Sequence, residues 1–306
     1  MRILVTGASG FAGRHLVRLL RSDGQDVIAW GRHDDDIDSM NVDLLDPDQP
    51  ATQDLAGFDF VVHLAGLAAA GESFGQSHRY VAANTGMQIN LLEALIAQNA
   101  FPRLLIVSTG GVYEAQADVL TEDSQLSTAN PYVVSKRAQE LLAAYYRSRG
   151  FEIIVARPFN HIGPGQHKEG FIVSDIARQV VEAERAGGGE IRTGDLRPER
   201  DFTDVRDIVS AYYAIILKGK PGTVYNVCSG HSYSGNEIVD LLIELAEAPI
   251  GVSADPAKVR PSEVMHVRAS HQRLSDDTGW QPQIPLEQTL AEVMDDWRRR
   301  LANASP

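Results

Sequence analysis

Three side chains in this sequence have the chemistry to exchange a proton with an oxygen on carbon: Thr109, Tyr132 and Lys136. Tyr132 and Lys136 are four residues apart, so on a helix they share one face. A free tyrosine titrates near ~10 and is a poor acid or base at neutral pH. An ammonium beside it stabilises phenolate and is expected to lower that value. The pair is then suited to protonate a carbonyl oxygen, or deprotonate a carbinol, while hydride moves at the attached carbon. Thr109 lies in the run Val107-Ser108-Thr109-Gly110-Gly111-Val112-Tyr113, and its hydroxyl can bond the same oxygen. Ser108 is the alternative hydroxyl, and a local turn bond is the plainer use of Thr109.

Such chemistry needs a hydride carrier, and the chain opens with a place for one. Gly7-Ala8-Ser9-Gly10-Phe11-Ala12-Gly13 follows the apolar run Ile3-Leu4-Val5 and precedes a helical pattern at 15–21. Glycines there permit a tight turn and let backbone amides reach a pyrophosphate at a helix N-terminus. Gly7, Ser9, Gly10, Phe11 and Gly13 are therefore candidate cofactor contacts. An acid that holds the ribose hydroxyls of NAD is expected roughly 20 residues further on. Gly31 stands there, followed by Arg32, whose guanidinium suits a 2′-phosphate. NADP(H) is thus the preferred cofactor. NAD(H) stays possible, because Asp34, Asp35 or Asp36 could take the acid's place.

The elements that would position these groups alternate. Strand patterns at 2–6, 26–30, 60–64, 104–108 and 152–156 are separated by helical ones, including 84–98. Continuous apolar strands alternating with helices predict an α/β fold, a Rossmann-type doubly wound parallel sheet. Past Pro158 the texture turns loop-rich, with helical patterns at 172–186, 236–248 and 286–301. The expected division is a dinucleotide-binding domain at 1–160 and a smaller α/β C-terminal substrate domain, mainly 161–306, with some segments returning to the first. No internal repeat is present, and Gly187-Gly188-Gly189 is a loop signal.

Composition narrows the partners. A formal charge of -13 over 306 residues repels nucleic acid, though local arginines can still bind a small anion. No apolar run approaches a membrane span and no secretory leader is evident, so a cytoplasmic location is expected. The single cysteine, Cys228, builds neither a disulfide framework nor a thiolate metal site. With His161 and His167 lacking a Cys/His/acid cluster, no metal is expected.

Several stretches resemble the extended short-chain dehydrogenases/reductases, which modify nucleotide sugars. They are 6–13, Asp43-Leu44, His63-Leu64-Ala65-Gly66, Asn84-Thr85-Gly86, Tyr132 with Lys136, Arg157-Pro158-Phe159-Asn160 and Arg200-Asp201-Phe202. The resemblance implies that Asp43 and Leu44 border the adenine and that Leu64, Ala65, Gly66 and Asn84 line the cofactor. It also implies catalytic roles for Thr109, Tyr132 and Lys136. The strings 157–166, 225–230 and 277–280 resemble members that act on GDP-linked 4-keto-6-deoxy sugars, and 260–264 resembles GDP-mannose 4,6-dehydratases. A GDP-sugar site follows by implication, with Asn160, Arg178, Arg200, Arg260 and Glu263 as its candidates. Arginines can meet the diphosphate bidentately, and a glutamate can accept from ribose hydroxyls.

The same resemblance separates the reactions of the group. Its dehydratases carry an acid-base carboxylate just after the threonine, where this chain has Gly110 and Gly111. Its C3/C5-epimerising reductases use a cysteine at the position of Gly111. What remains is reduction of the 4-keto group of GDP-4-keto-6-deoxy-D-mannose to GDP-D-rhamnose, a supply route for surface polysaccharide. The rivals are a 4-epimerase that retains NAD and a non-catalytic NADP-binding regulator, the latter opposed by intact Tyr132 and Lys136. Helical patterns at 87–98 and 135–147 are apolar on more than one face, and the resemblance implies a homodimer through them.

Overall fold

The computed structural model describes residues 1–31, 37–116, 118–168, 170–256 and 265–303. The chain begins with β1 (Arg2–Thr6), α1 (Phe11–Ser22), β2 (Asp26–Gly31), β3 (Met40–Asn41) and α2 (Asp48–Ala51). Next come β4 (Phe60–His63), α3 (Ala70–Ser73), α4 (Ser77–Ala97) and β5 (Arg103–Val107). A 3-10 turn at Gly110–Val112 leads to α5 (Pro131–Arg147), β6 (Ile153–Pro158) and β7 (Asn160–Ile162). Then follow α6 (Ile172–Arg185), β8 (Gly189–Thr193), β9 (Glu199–Asp204), α7 (Val205–Lys218) and β10 (Val224–Val227). The chain ends with β11 (Ser232–Ser234), α8 (Gly235–Glu244), β12 (Ile250–Ala254), α9 (Gln272–Thr278) and α10 (Leu286–Asn303).

Seven strands form one parallel sheet in the order β10-β6-β5-β4-β1-β2-β3. Helices cover both faces, which is why its central strands are apolar without alternation. On one face Ile3, Val5, Leu105 and Ile154 pack with Leu16 and Leu20 of α1 and with Ile208, Tyr212 and Ile215 of α7. On the other, Leu4, Val61, Leu104 and Ile106 pack with Leu91 and Leu95 of α4 and Tyr146 of α5. This is the doubly wound α/β architecture expected. The winding direction reverses between β1 and β4, and a crevice opens there at the strands' carboxyl ends.

The expected strands of this sheet begin and end within two residues of the observed ones, but two helices start earlier. α4 begins at Ser77, seven residues before the apolar pattern, with a polar, exposed first turn, and its inward positions include the fully buried Asn84 and Gln88. These polar residues are satisfied across the helix pair: Gln88 donates to the Gln139 carbonyl at 3.1 Å, and Gln139 donates to the Asn84 carbonyl at 3.0 Å.

The remaining strands form a three-stranded sheet β11-β9-β7, in which β7 and β11 are only three residues long, and a two-stranded sheet β12-β8. They share a core with α6, α8 and α10, including Ile176, Ile191, Phe202, Leu242, Met294 and Trp297. The seventh strand of the large sheet, β10, comes from beyond residue 160, and α7 and α9 pack with it against the first core through Ile208, Leu274 and Trp280.

Candidate active site

The crevice is lined by the turns that leave β1, β4 and β5. After β1, Gly7 adopts φ +70, and a Cβ there would lie 2.6 Å from the Ala65 amide nitrogen. A Cβ on Gly13 would lie 2.3 Å from the Gly7 carbonyl oxygen, so only glycine lets α1 seat on the turn. Gly10 caps α1 with no side-chain hydrogen bond, and the first-turn amides, with the positive end of the helix dipole, point into the crevice. The turn therefore fits a pyrophosphate. At the end of β2, a Cβ on Gly31 would lie 2.8 Å from both the amide nitrogen and Oγ of Ser9. Ser9 thus crowds the place where an acidic side chain would approach the ribose. Arg32 lies outside the described residues, as do Asp34, Asp35 and Asp36.

The Phe11 ring stacks on His161 at 5.8 Å, and His15 Nε2 contacts the Pro164 carbonyl at 3.0 Å. These contacts tie the glycine turn to the loop after β7. The sequence assigned His161 no role; a lone loop histidine carries no signal of such a stack.

The loop after β4 lies over the turn. Leu64 donates its amide to the Thr6 carbonyl at 3.1 Å, and Ala65 lies 3.4 Å from Thr6 Oγ1. Gly66 sits between Asn84 and Lys136: a Cβ on it would be 3.3 Å from Asn84 Oδ1 and 3.5 Å from Lys136 Nζ. Asn84 Oδ1 accepts from the Leu67 amide at 2.7 Å. Its Nδ2 donates to the Leu67 carbonyl at 3.1 Å and to Ser135 Oγ at 2.8 Å. Asn84 thereby fixes the loop rather than presenting a free amide to the crevice. Further out, Asp43 Oδ1 accepts from the Leu45 amide at 2.9 Å, and the buried Leu44 offers its carbonyl to Asn90 at 2.8 Å.

Thr109 follows β5 and caps the 3-10 turn, its Oγ1 accepting from the Gly111 amide at 3.2 Å. Thr109 also lies beside the Tyr132 phenol, close enough to pull its pKa down, so the local bond and the contact to tyrosine coexist. Tyr132 is held in the first turn of α5 by Pro131 and by Asn130, whose side chain accepts from the Val133 amide at 2.9 Å. The fully buried Tyr80 ring meets it edge-on at 6.4 Å. One turn along, Lys136 is buried and donates to the Val107 carbonyl at 2.9 Å. Burial holds its ammonium down at about 8, with Glu140 pulling the other way.

The expected lowering of the tyrosine pKa does not occur in the protein alone. Burial pushes Tyr132 up to about 12, against the pull of the Thr109 hydrogen bond. Desolvation of a phenolate outweighs an ammonium that is itself turned to a carbonyl. Ser108 Oγ is buried without a hydrogen-bond partner, as is Nε2 of His63, whose Nδ1 meets Thr6 Oγ1 at 2.8 Å.

The two glycines after Thr109 differ. A Cβ on Gly110 would lie 2.8 Å from three carbons of the Phe159 ring, whereas one on Gly111 would meet Thr109 Oγ1 only at 3.5 Å. No side chain, acidic or otherwise, fits at 110 without displacing Phe159.

Of the substrate candidates, Asn160 is exposed on β7, and Arg200 is half-buried on the neighbouring β9, donating to the Glu199 carbonyl at 2.8 Å. Arg178 on α6 pairs with Glu182 at 2.8 Å, an i,i+4 contact along its own helix. Arg260 and Glu263 lie outside the described residues. Asp201, quoted above only within a motif, is fully buried and gathers the chain after β10. Its carboxylate accepts from the amides of Ser229 at 2.9 Å and Gly230 at 2.8 Å. Among the described residues no three His, Cys, Asp or Glu side chains converge on a metal position, and no helix is long and apolar enough to cross a membrane.

A parallel doubly wound sheet, a glycine turn fitted to a pyrophosphate and a Thr-Tyr-Lys group near the strands' carboxyl ends are the arrangement of a dinucleotide-binding fold. Residues 3–228 match the NAD dependent epimerase/dehydratase family, and the chain belongs to it. The GDP-6-deoxy-D-mannose reductase of Pseudomonas aeruginosa is 37% identical, the match covering 98% of each chain. The GDP-6-deoxy-D-talose 4-dehydrogenase of Aggregatibacter actinomycetemcomitans is 29% identical over the full length of both. The structure of RMD from Pseudomonas aeruginosa complexed with NADPH superposes with a TM-score of 0.89 at 36% identity, covering 98% of this chain and 99% of that one.

Proposed function

We propose that this protein reduces the 4-keto group of GDP-4-keto-6-deoxy-D-mannose with NADPH, giving GDP-D-rhamnose. The observation that carries the reading is the Thr109–Tyr132 hydroxyl pair beside a buried Lys136, followed by two residues without side chains. That set moves one proton and provides no base for removing a second. The relative that reduces a GDP-linked 6-deoxy sugar and the NADPH complex of its fold support the choice. So does the crowding of Ser9 against Gly31, which disfavours an acid at the ribose.

When bound, a reduced nicotinamide would supply the hydride to the carbonyl carbon. The Tyr132 hydroxyl donates its proton to the carbonyl oxygen, while Thr109 Oγ1 holds both. The ammonium of Lys136 stabilises the phenolate left behind, and a proton from solvent restores it. We assign Gly7, Ser9, Gly10, Phe11, Gly13, Arg32, Asp43, Leu44, Leu64, Ala65 and Gly66 to the cofactor, with Asn84 acting through the loop it fixes. Asn160, Arg200, Arg260 and Glu263 are assigned to the GDP-sugar, in a unit built mainly from 161–306. Arg178 joins them only if its pair with Glu182 opens. A homodimer through α4 and α5 is part of the same reading, supported by exposed Leu141 and Tyr145 on α5.

The test is NADPH oxidation with the keto sugar as substrate, followed by NMR of the product. A 4-epimerase returns its hydride, so absence of net NADPH consumption overturns the reading. Tyr132→Phe should lower kcat by about 10²-fold or more; unchanged turnover would remove Tyr132 from the mechanism.

A further inference from the structure

Glu140 lies one turn beyond Lys136 on α5 and is the anionic side chain that pulls positive charge onto it. Its carboxylate is clamped by Arg157 of β6 through two parallel bonds, Nε to Oε1 at 2.9 Å and Nη2 to Oε2 at 2.7 Å. Both partners are shielded, with side chains 5% and 12% exposed. Arg157 is held in turn by Tyr113: its Nη1 donates to the phenol oxygen at 2.8 Å and its guanidinium lies 4.9 Å from the ring centre. Tyr113 donates onward to Asn226 Oδ1 at 2.6 Å. The carboxylate is thereby held at both oxygens and its guanidinium partner at a third point, which fixes the pair in place.

A buried ion pair adds little net stability, because the desolvation of both ions offsets their attraction. Stability alone therefore gives no reason for this pair. Its location gives one. The other titratable groups around Lys136 supply no negative charge: His63 on β4 is held neutral, pushed down to about 3 by burial and by Lys136, and the hydroxyls of Tyr132 and of Tyr80 on α4 are neutral.

We propose that Glu140, clamped by Arg157, is a positioning residue whose carboxylate keeps the Lys136 ammonium charged beside Tyr132. Arg157 fixes the place of that charge. The proposal rests on the catalytic reading of Tyr132 and Lys136 and adds the source of the ammonium's charge.

The test is a titration of the free protein labelled with ¹³C at lysine Cε. The chain has five lysines, so the Lys136 signal is assigned by its loss in Lys136→Arg. In the native protein Lys136 should titrate near 8. In Glu140→Gln the midpoint should fall by about one pH unit, and Glu140→Asp should restore most of it. The alkaline limb of kcat should move down with the midpoint, since turnover is lost as Lys136 loses its proton. A purely structural Glu140 would lower the amount of active protein equally at every pH and leave the midpoint in place; that result overturns the proposal. If Glu140→Gln does not fold, Glu140→Gln with Arg157→Gln removes both buried charges. Glu140, and not Arg157, is the charge that acts on Lys136, so a shift in the same direction is expected, and no shift overturns the proposal. Failure of the native enzyme to oxidise NADPH would instead strike the proposed reaction, which the titration does not measure.

Discussion

At the scale of single residues, the site shows a conflict between stability and chemistry. Lys136 titrates near 8 in the fold against an ordinary 10.5. Below pH 8 folded and unfolded chains both hold the proton, and the folded one bears the whole cost of burying it. Between about 8 and 10.5 the folded chain has released the proton and the cost shrinks, so this group's contribution to stability improves as pH rises through that window. The cost is about 3 kcal/mol, larger than the ~1 kcal/mol returned by the bond to Val107. Lys136→Met should therefore abolish turnover while raising Tm by a few degrees at pH 7, measured by calorimetry. A lower Tm would mean the ammonium is well solvated in the fold. Thr109, Tyr132 and Lys136 were legible in the sequence because their chemistry is specific and their spacing helical. Glu140 was not: a glutamate four residues after a lysine reads as an ordinary surface pair, and only the arrival of Arg157 from β6 gives it a buried place. The direction of the Tyr132 shift is not legible either, since spacing reveals the neighbouring charge but not the depth of the hydroxyl.

At the scale of elements, the start of α5 matters most, because Tyr132 occupies its first turn. Asn130→Ala removes the bond to the Val133 amide and should cost about 1 kcal/mol in denaturant unfolding. It should also lower kcat more than it raises KM, since the hydroxyl is displaced from Thr109 while the nucleotide site is untouched. Equal effects on both would indicate a general loosening. Strands of the large sheet were readable from their apolar runs. Those near the substrate side, such as Asn160–Ile162 and Ser232–Ser234, are three residues long, too short for any pattern to rise above its surroundings. The α4 start is hidden for a different reason: its first turn, Ser77, His78 and Arg79, is polar and exposed and no side chain caps it, so neither apolar periodicity nor a capping bond marks the beginning.

At the scale of the whole molecule, the outer face of α5 is apolar where solvent would favour charge, with Leu141 73% exposed. Leu141→Glu should convert a dimer to monomer in sedimentation velocity with little change in unfolding of the single chain; an unaltered sedimentation coefficient would place the interface elsewhere. The strand order has a consequence for how the protein is made. β6 remains an open sheet edge, and the face built on Ile3 and Val5 is covered by α1 alone, until residues 205–227 supply α7 and β10. A ribosome adds about 5–20 residues per second, so the growing chain carries an unpaired strand and a half-covered hydrophobic face for several seconds after β6 emerges. Chaperone protection during synthesis is thus needed most in that interval, and a fragment ending at 160 would keep the exposed edge permanently.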